Sequence, residues 1–413
     1  MKKFTFTIIV LCTLSNGDAS LLREEALKYG LRSVPKSYEA LLTTLKTNET
    51  YLSKDKIRLG KELFFDKNLS KNRDISCASC HKLDQGGVDG RPTAIGHKEQ
   101  ANPHHINTPT VLNTALSSNL FWDGSAKSLK EQAKGPLQAS FEMNANPKLI
   151  EERVNEDSRY HAGFLEVYGE RGIAFENIVD AIEAYEKTLF TRGKFDDFLD
   201  DNLSALNRKE QKGLKIFMDR GCVLCHSGTG FGGQLLRKFP LVRHSAWSDI
   251  GLEGTKELIN SYKAFLANNP KPSFKSLKAY LGEAKMEHLY KGFFDFYPKE
   301  EQKKIITTTG CYSCHIRGGG VQISPEHLKK IAFPFKNVGE FMGKDNRYFR
   351  VPILRNITKT KPYFHNGITQ ELSDVIQIMS KYQLVKEMPQ KEIDLMIEFL
   401  KTLEGEQVDY GVE

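Results

Sequence analysis

The chain has 413 residues, 39% of them apolar and 27% charged, with a formal net charge of +7. That length and apolar share suit two or somewhat more domains, each with a core of its own. The positive balance does not gather into a nucleic-acid patch: Lys and Arg alternate with acids in stretches such as "NRKEQKG" and "PKEEQKK", the pattern of solvated helix faces, so no nucleic-acid partner is expected.

In chain order, the first segment "MKKFTFTIIVLCTLSNGDAS" has a basic start, an apolar run from Phe4 to Leu14, and small residues at Gly17 and Ala19. This is the pattern of an export leader over 1–19, cleaved near Ala19, with an apolar run too short to span a bilayer. Cys12 would leave with it, and bulky Leu11 disfavours a lipid anchor there. Apolar residues at three- and four-residue intervals predict helices over 53–66, 175–190, 207–220 and 391–403. Asn207 with Glu210, and Ser324-Pro325-Glu326, read as helix starts. Segments 84–110 and 228–250 are rich in Gly, Asn and Pro and read as long loops. Strand-like alternation is sparse, so the fold is expected to be mainly α.

Six of the seven cysteines fall in three C-x-x-C-H motifs: Cys77, Cys80, His81; Cys222, Cys225, His226; and Cys311, Cys314, His315. Such a motif attaches c-type haem through two thioethers, with the adjacent histidine placed to ligate the iron. A single copy would also fit a thioredoxin-like redox pair, and C-x2-C spacing suits zinc, but a tetrahedral zinc site needs four ligands and each pair here stands alone with one His. Three copies, with Cys12 the only cysteine outside them, predict three covalent haems. "QKGLKIFMDRGCVLCHSGTGFGGQ" and "QKKIITTTGCYSCHIRGGGVQIS" read as a repeat of helix, glycine, haem motif and Gly-rich tail, whereas the first motif has its own surroundings. The architecture expected is tandem cytochrome c-like haem domains with long loops, and an inserted third haem module.

From "LGKELFFDKNLSKNRDISCASCH" through "AIGH", "INTPTVLN", "FWDGSAKSLKEQAKGPLQASFEMN", "GLKIFMDRGCVLCHSG", "FRVPILRN", "PYFHNG" and "LSDVIQIM", most of the chain resembles the bacterial di-haem cytochrome c peroxidases. The resemblance implies a periplasmic enzyme that reduces hydrogen peroxide to water with electrons from a small cytochrome c or a quinol. It implies a peroxidatic domain over 20–200 and an electron-transfer domain over 201–413, usually as a homodimer. Residues 252–335, with the third motif, have no counterpart in two-haem members. By the same resemblance His97 is a second, displaceable iron ligand opposite His81, Glu142 the acid/base carboxylate, and Gln132 a hydrogen-bond donor over that face. Trp122 matches an aromatic between the haems, and Met379 the thioether ligand opposite His226, which would raise that haem's potential. Asn107, Thr360 and Pro362 match the oxygen ligands of a calcium ion, and Arg350 and His365 match residues near the second haem. Read without the resemblance, His97 is a loop histidine, Glu142 a solvated carboxylate and Met379 a helix-face residue. His104, His105 and Trp247 match nothing, and Met143 reads as packing.

His315 is the expected proximal ligand of the third haem. Its sixth ligand is open among Met342, Met286, His288 and His327, or none, with Met342 preferred on spacing. The insert reads as an electron entry port. Two other functions fit the motifs: a methylamine-utilisation-type haem oxygenase acting on a protein partner, against which Met379 speaks because a tyrosine would be expected there, and a multihaem electron carrier without a labile axial position.

Overall fold

The computed structural model describes residues 18–239, 274–292, 348–384 and 387–412, with a few positions between 257 and 269. The third motif (Cys311, Cys314, His315), Met342, His327, Trp247, the expected helix start at Ser324 and most of the leader with Cys12 lie outside the described residues, as do the side chains of Met286 and His288. Helices dominate: α1 (18–28), α2 (Tyr38–Leu45), α3 (Lys54–Phe65), α4 (Cys77–Cys80), α5 (Leu129–Gln138), α6 (Pro147–Glu156), α7 (Arg159–Tyr168) and α8 (Phe175–Glu186) precede strand β1 (Thr191–Gly193). Then follow α9 (Lys194–Leu199), α10 (Arg208–Asp219), β2 (Leu236–Lys238), α11 (Phe274–Gly292), β3 (Tyr348–Arg350), α12 (Leu372–Gln383), α13 (Gln390–Lys401) and β4 (Gly405–Gln407). The strands form two short antiparallel ladders, β1 with β4 and β2 with β3. No described helix is long and apolar enough to cross a membrane.

The four helices expected from periodicity are α3, α8, α10 and α13, and their starts follow from capping. Ser53 Oγ accepts from Lys56 N at 3.2 Å to begin α3. Asn207 Oδ1 accepts from Glu210 N at 3.1 Å while Glu210 Oε2 accepts from Asn207 N at 2.7 Å, the reciprocal box that its sequence promised. Helix α8 stops at Glu186 rather than 190, because Thr188 Oγ1 bonds back to Tyr185 O at 2.7 Å as the chain turns toward β1.

The two long helix pairs are built alike. α3 crosses α8 at Gly60, where a Cβ would stand 1.9 Å from Ala181 O and 3.0 Å from Tyr185 Cβ; α10 crosses α13 at Gly213, where a Cβ would stand 2.0 Å from Leu395 O and 2.7 Å from Phe399 Cβ. Beyond each crossing Thr188 and Thr402 cap their helices identically, and Leu189 O and Leu403 O accept from Asn113 N and Asn356 N. Both asparagines sit in the left-handed region (φ 62° and 57°), and both donate Nδ2 to the same Thr191 Oγ1. The first and second motifs therefore hang on a common frame of helix crossing and asparagine, which is hidden in the sequence because the intervening loops differ in length.

Two apolar cores result. One gathers α2, α3 and α5–α8 with Tyr410 and Val412; the other gathers α9, α10 and α13 with Ala19, Leu22, Ala26 and Leu31. This division departs from a boundary at 200: α1 and α9 belong with the later half, and residues near 410 with the earlier one. The expected leader end at Ala19 falls inside α1, where Ala19 is buried. Within the later half the Arg355 guanidinium forms a fully buried pair with Asp196 of α9 at 2.7 Å.

Gly60→Ala and Gly213→Ala are each expected to destabilise the protein by about 1–3 kcal/mol through overpacking. Gly163→Ala, on α7 with its nearest obstacle at 3.4 Å, should be neutral or stabilising. Urea unfolding of the three variants checks this; equal effects would refute the close-crossing account.

Candidate active site

A single helical turn sets the first motif. Ser76 N donates to Ser79 Oγ at 2.9 Å, α4 follows, and His81 N closes on Cys77 O at 2.9 Å. Residues three apart on such a turn share a face, so both sulfurs look the same way. His81 Nδ1 lies 3.1 Å from Gly87 O, and His226 Nδ1 lies 3.1 Å from Phe231 O. A second carbonyl backs each ring, that of Pro109 for His81 and Pro352 for His226. An Nδ1–H donated to a carbonyl leaves the Nε2 lone pair free, the tautomer an iron ligand needs. Burial lowers both histidine pKa values, which holds the rings neutral for that purpose.

The thiols have no metal-thiolate environment. Burial raises all four, Cys80 to about 11 and Cys222 to about 12, and among the described residues no group of three His, Cys, Asp or Glu could hold a metal ion. Neutral paired thiols beside a histidine with a free Nε2 fit a thioether-bound haem at each motif.

His97 and Glu142 are brought together beside the first motif. His97 N donates to Glu142 O at 2.7 Å, and a Cβ at Gly96 would stand 2.1 Å from Phe141 O, so the 94–102 loop lies directly on the 139–145 segment. His97 is buried and its Nδ1 has no hydrogen-bond partner, an arrangement that costs about 1–3 kcal/mol unless something else takes the ring. Burial alone pushes the Glu142 carboxyl up to about 7, and Cys80 lies within its electrostatic reach. Helix α5 holds this segment from the other side: Met143 N bonds Pro136 O at 3.0 Å and Ala145 N bonds Leu137 O at 2.9 Å. Gln132 is half-buried on that helix, and Met143 packs in the first core as expected. His104 and His105 are exposed loop residues, His104 edge-on to Phe141.

Trp122 lies at the junction of the halves. Its Nε1 donates to Asn107 O at 2.8 Å, and its own carbonyl accepts from Arg350 N at 2.8 Å. The indole meets His365 edge-on at 6.3 Å, and His365 stacks on Phe349 at 4.5 Å, giving a row of three rings that sequence reasoning did not foresee beyond Trp122 and His365. Burial takes His365 down to about 4, so its ring is neutral, and takes the Arg350 guanidinium to about 10; Arg350 Nη1 has no partner.

Met379 is half-buried on α12. Ile376, one turn earlier, joins the second core with Val223 and Phe231, and Gln383, one turn later, donates to Lys238 O at 2.9 Å, so the helix belongs to the half that carries Cys222–His226. Asn107 Nδ2 donates to Arg91 O at 2.7 Å, which leaves its amide oxygen as an acceptor; Thr360 lies against Gly86, and Pro362 follows a cis peptide. Among the buried charged residues that escaped the sequence reading are Glu186, hidden in a helix of apolar period, and the pair Arg355 and Asp196.

A family model described as di-haem cytochrome c peroxidase matches residues 54–204. Cytochrome c551 peroxidase of Pseudomonas aeruginosa is 33% identical over 359 residues, 86% of this chain and 80% of that protein. Its namesake in Nitrosomonas europaea is 33% identical over 357 residues, covering 86% and 82%. Methylamine utilization protein MauG of Methylophilus methylotrophus is 34% identical over 184 residues, 44% of this chain and 54% of that one. Among solved structures, a MauG-like protein associated with microbial copper homeostasis shares the fold with a TM-score of 0.58 at 22% identity, covering 86% and 91%. Identity at this level across most of both chains settles the relationship: the chain belongs to the di-haem cytochrome c peroxidase family and is a haem peroxidase.

Proposed function

We propose that this chain is an exported peroxidase that reduces hydrogen peroxide to water at the haem of its first motif, using electrons relayed from an external donor. The observation that carries this reading is Glu142: a half-buried carboxyl without a cationic partner, pushed by desolvation up to about 7, backbone-bonded to the histidine loop beside Cys77–His81. Haem iron, when bound there, supplies the electron transfer that breaks an oxygen–oxygen bond. Glu142, as the carboxylate, takes the proton of the near peroxide oxygen and returns it to the far oxygen, which leaves as water. With two electrons and two protons supplied, one peroxide gives two waters. Gln132 orients the peroxide by its amide, and His97 is the displaceable ligand, its ring already without a protein partner at Nδ1.

The halves take different tasks in this reading. The first, built on His81, is peroxidatic. The second, built on His226 with Met379, holds electrons at higher potential, and Trp122 passes them across. Asn107, Thr360 and Pro362 supply neutral oxygens suited to a calcium ion at the junction, and the free Asn107 amide oxygen supports that role. The third haem, on Cys311, Cys314 and His315 with Met342 as sixth ligand, is an entry port for a small cytochrome c or a quinol. A leader over 1–19 directs the protein to the periplasm, where it works as a homodimer. Met379, where an oxygenase of the methylamine-utilisation type would have tyrosine, favours peroxide as the substrate.

Glu142→Gln should lower peroxide turnover by ~10²–10⁴-fold with haem content unchanged; steady-state assays with pyridine haemochrome analysis measure both. Because the carboxylate is the active form in the free enzyme, kcat/KM should fall about tenfold per pH unit below about 7, and that limb should vanish in the variant. Near-normal turnover in Glu142→Gln would remove this residue from the chemistry. Met379→His should make the second haem more than about tenfold harder to reduce, a drop of ~59 mV or more, read by potentiometric titration; an unchanged potential would exclude the thioether as its ligand.

A further inference from the structure

Glu142 accounts for a half-buried carboxyl beside the first motif and leaves a second, deeply buried one without a task. Glu186 ends α8, is 5% exposed, and its Oε2 lies in the interior with no hydrogen-bond partner. An ionised carboxylate so placed carries a large desolvation cost with nothing to offset it. Cys77 is close enough that, after burial, Glu186 is the strongest influence on its thiol. Burial, and then Glu183 one turn earlier, push the Glu186 carboxyl up to about 8. Several charged groups of the packed elements are engaged elsewhere: Glu183 pairs with Lys187 at 3.3 Å, Lys56 of α3 with Asp180, Arg58 with Asp55, Lys130 and Lys134 of α5 with Glu176, and Glu151 of α6 caps Phe175 N.

The internal repeat provides a control within the same molecule. Gly60 abuts Ala181 and Tyr185 as Gly213 abuts Leu395 and Phe399, so Glu186 holds the position that Leu400 holds in the other half. There the leucine closes the second core, against which Cys222 packs. The scaffold therefore does not require a carboxyl at this position, and of the two described motifs it carries one beside the first.

We propose that Glu186 is a redox-linked proton acceptor: it takes one proton from solvent as the haem attached at Cys77 and Cys80 takes one electron from the second haem, and releases that proton on reoxidation. The inference rests on the haem reading of the first motif. Ferric haem carries one more positive charge than ferrous haem, so the oxidised state favours the carboxylate and the reduced state favours the acid. The charge of the buried pair stays constant through the cycle, which spares the core an uncompensated charge in either state. Glu186 touches no reacting atom in this scheme; it acts through the haem potential.

The test is a redox titration of the haem-loaded protein at pH values on either side of 8, with spin-resonance spectra separating the haems and pyridine haemochrome analysis counting them. Absence of haem at Cys77 and Cys80 would overturn the haem reading itself, and is thereby distinguished from failure of the proposal alone. In the wild type the first haem should become up to about tenfold harder to reduce per pH unit, ~59 mV. Glu186→Gln, which keeps the volume and loses the titrating proton, should flatten that slope, as should Glu186→Leu, which copies the second half. Glu142→Gln should leave the slope in place. A wild-type slope retained in loaded Glu186→Gln, a flat wild type, or loss of the slope in Glu142→Gln alone would each overturn the proposal.

Discussion

Two helices can lie in contact along their backbones only where neither presents a side chain, and the molecule depends on two such places. Gly60 admits the carbonyl of Ala181, and Gly213 admits that of Leu395. Each crossing fixes where α8 or α13 ends. The end of the helix places Leu189 O or Leu403 O, that carbonyl holds Asn113 or Asn356, and the proline four residues earlier in the same segment turns its carbonyl to the motif histidine. The orientation of His81 and His226 thus follows from a series of backbone contacts that begins at a missing Cβ.

On this common frame the two halves diverge in polarity. Glu186 stands beside Cys77, and around Cys80 the acids Asp89 and Glu142 are set against Arg91 and Lys82, whereas Cys225 receives a hydrogen bond from Arg237 and Cys222 feels Arg220. Nearby cations disfavour the oxidised, more positive state of an iron centre and carboxylates favour it. The surrounding charges therefore tend to make the second half the easier one to reduce and to hold electrons there, before axial ligands are considered. Trp122, His365 and Phe349 bridge the two environments with neutral rings.

Much of the frame was legible in the sequence because it rests on local rules. Periodicity located α3, α8, α10 and α13, the Asn207–Glu210 box announced α10, and three identical cysteine motifs announced the cofactor. A further likeness, between the first motif and the second, escaped the sequence, since the loops joining crossing, motif and asparagine differ in length between the halves, and equivalence shows only when the Gly60 and Gly213 contacts are seen. His97 and Glu142 were visible as site residues only through the family resemblance: a loop histidine and a loop glutamate carry no local pattern, and what distinguishes them is burial by segments distant in the chain. Glu186 was masked by the apolar helix around it, and Arg355 by its partner Asp196 lying on the far side of the insert.

The apolar cores also interlock the chain. Residues near 20 complete the later half, and Tyr410 reaches back to donate to Pro35 O at 3.0 Å within the earlier one. Cutting the polypeptide at residue 200 would leave each fragment lacking a strip of its own interior, so the halves are not autonomous beads on a string. The earlier half cannot close until residues beyond 400 have emerged, by which time its cysteines have long been accessible. A group attached at Cys77 and Cys80 during synthesis would thus meet an open chain.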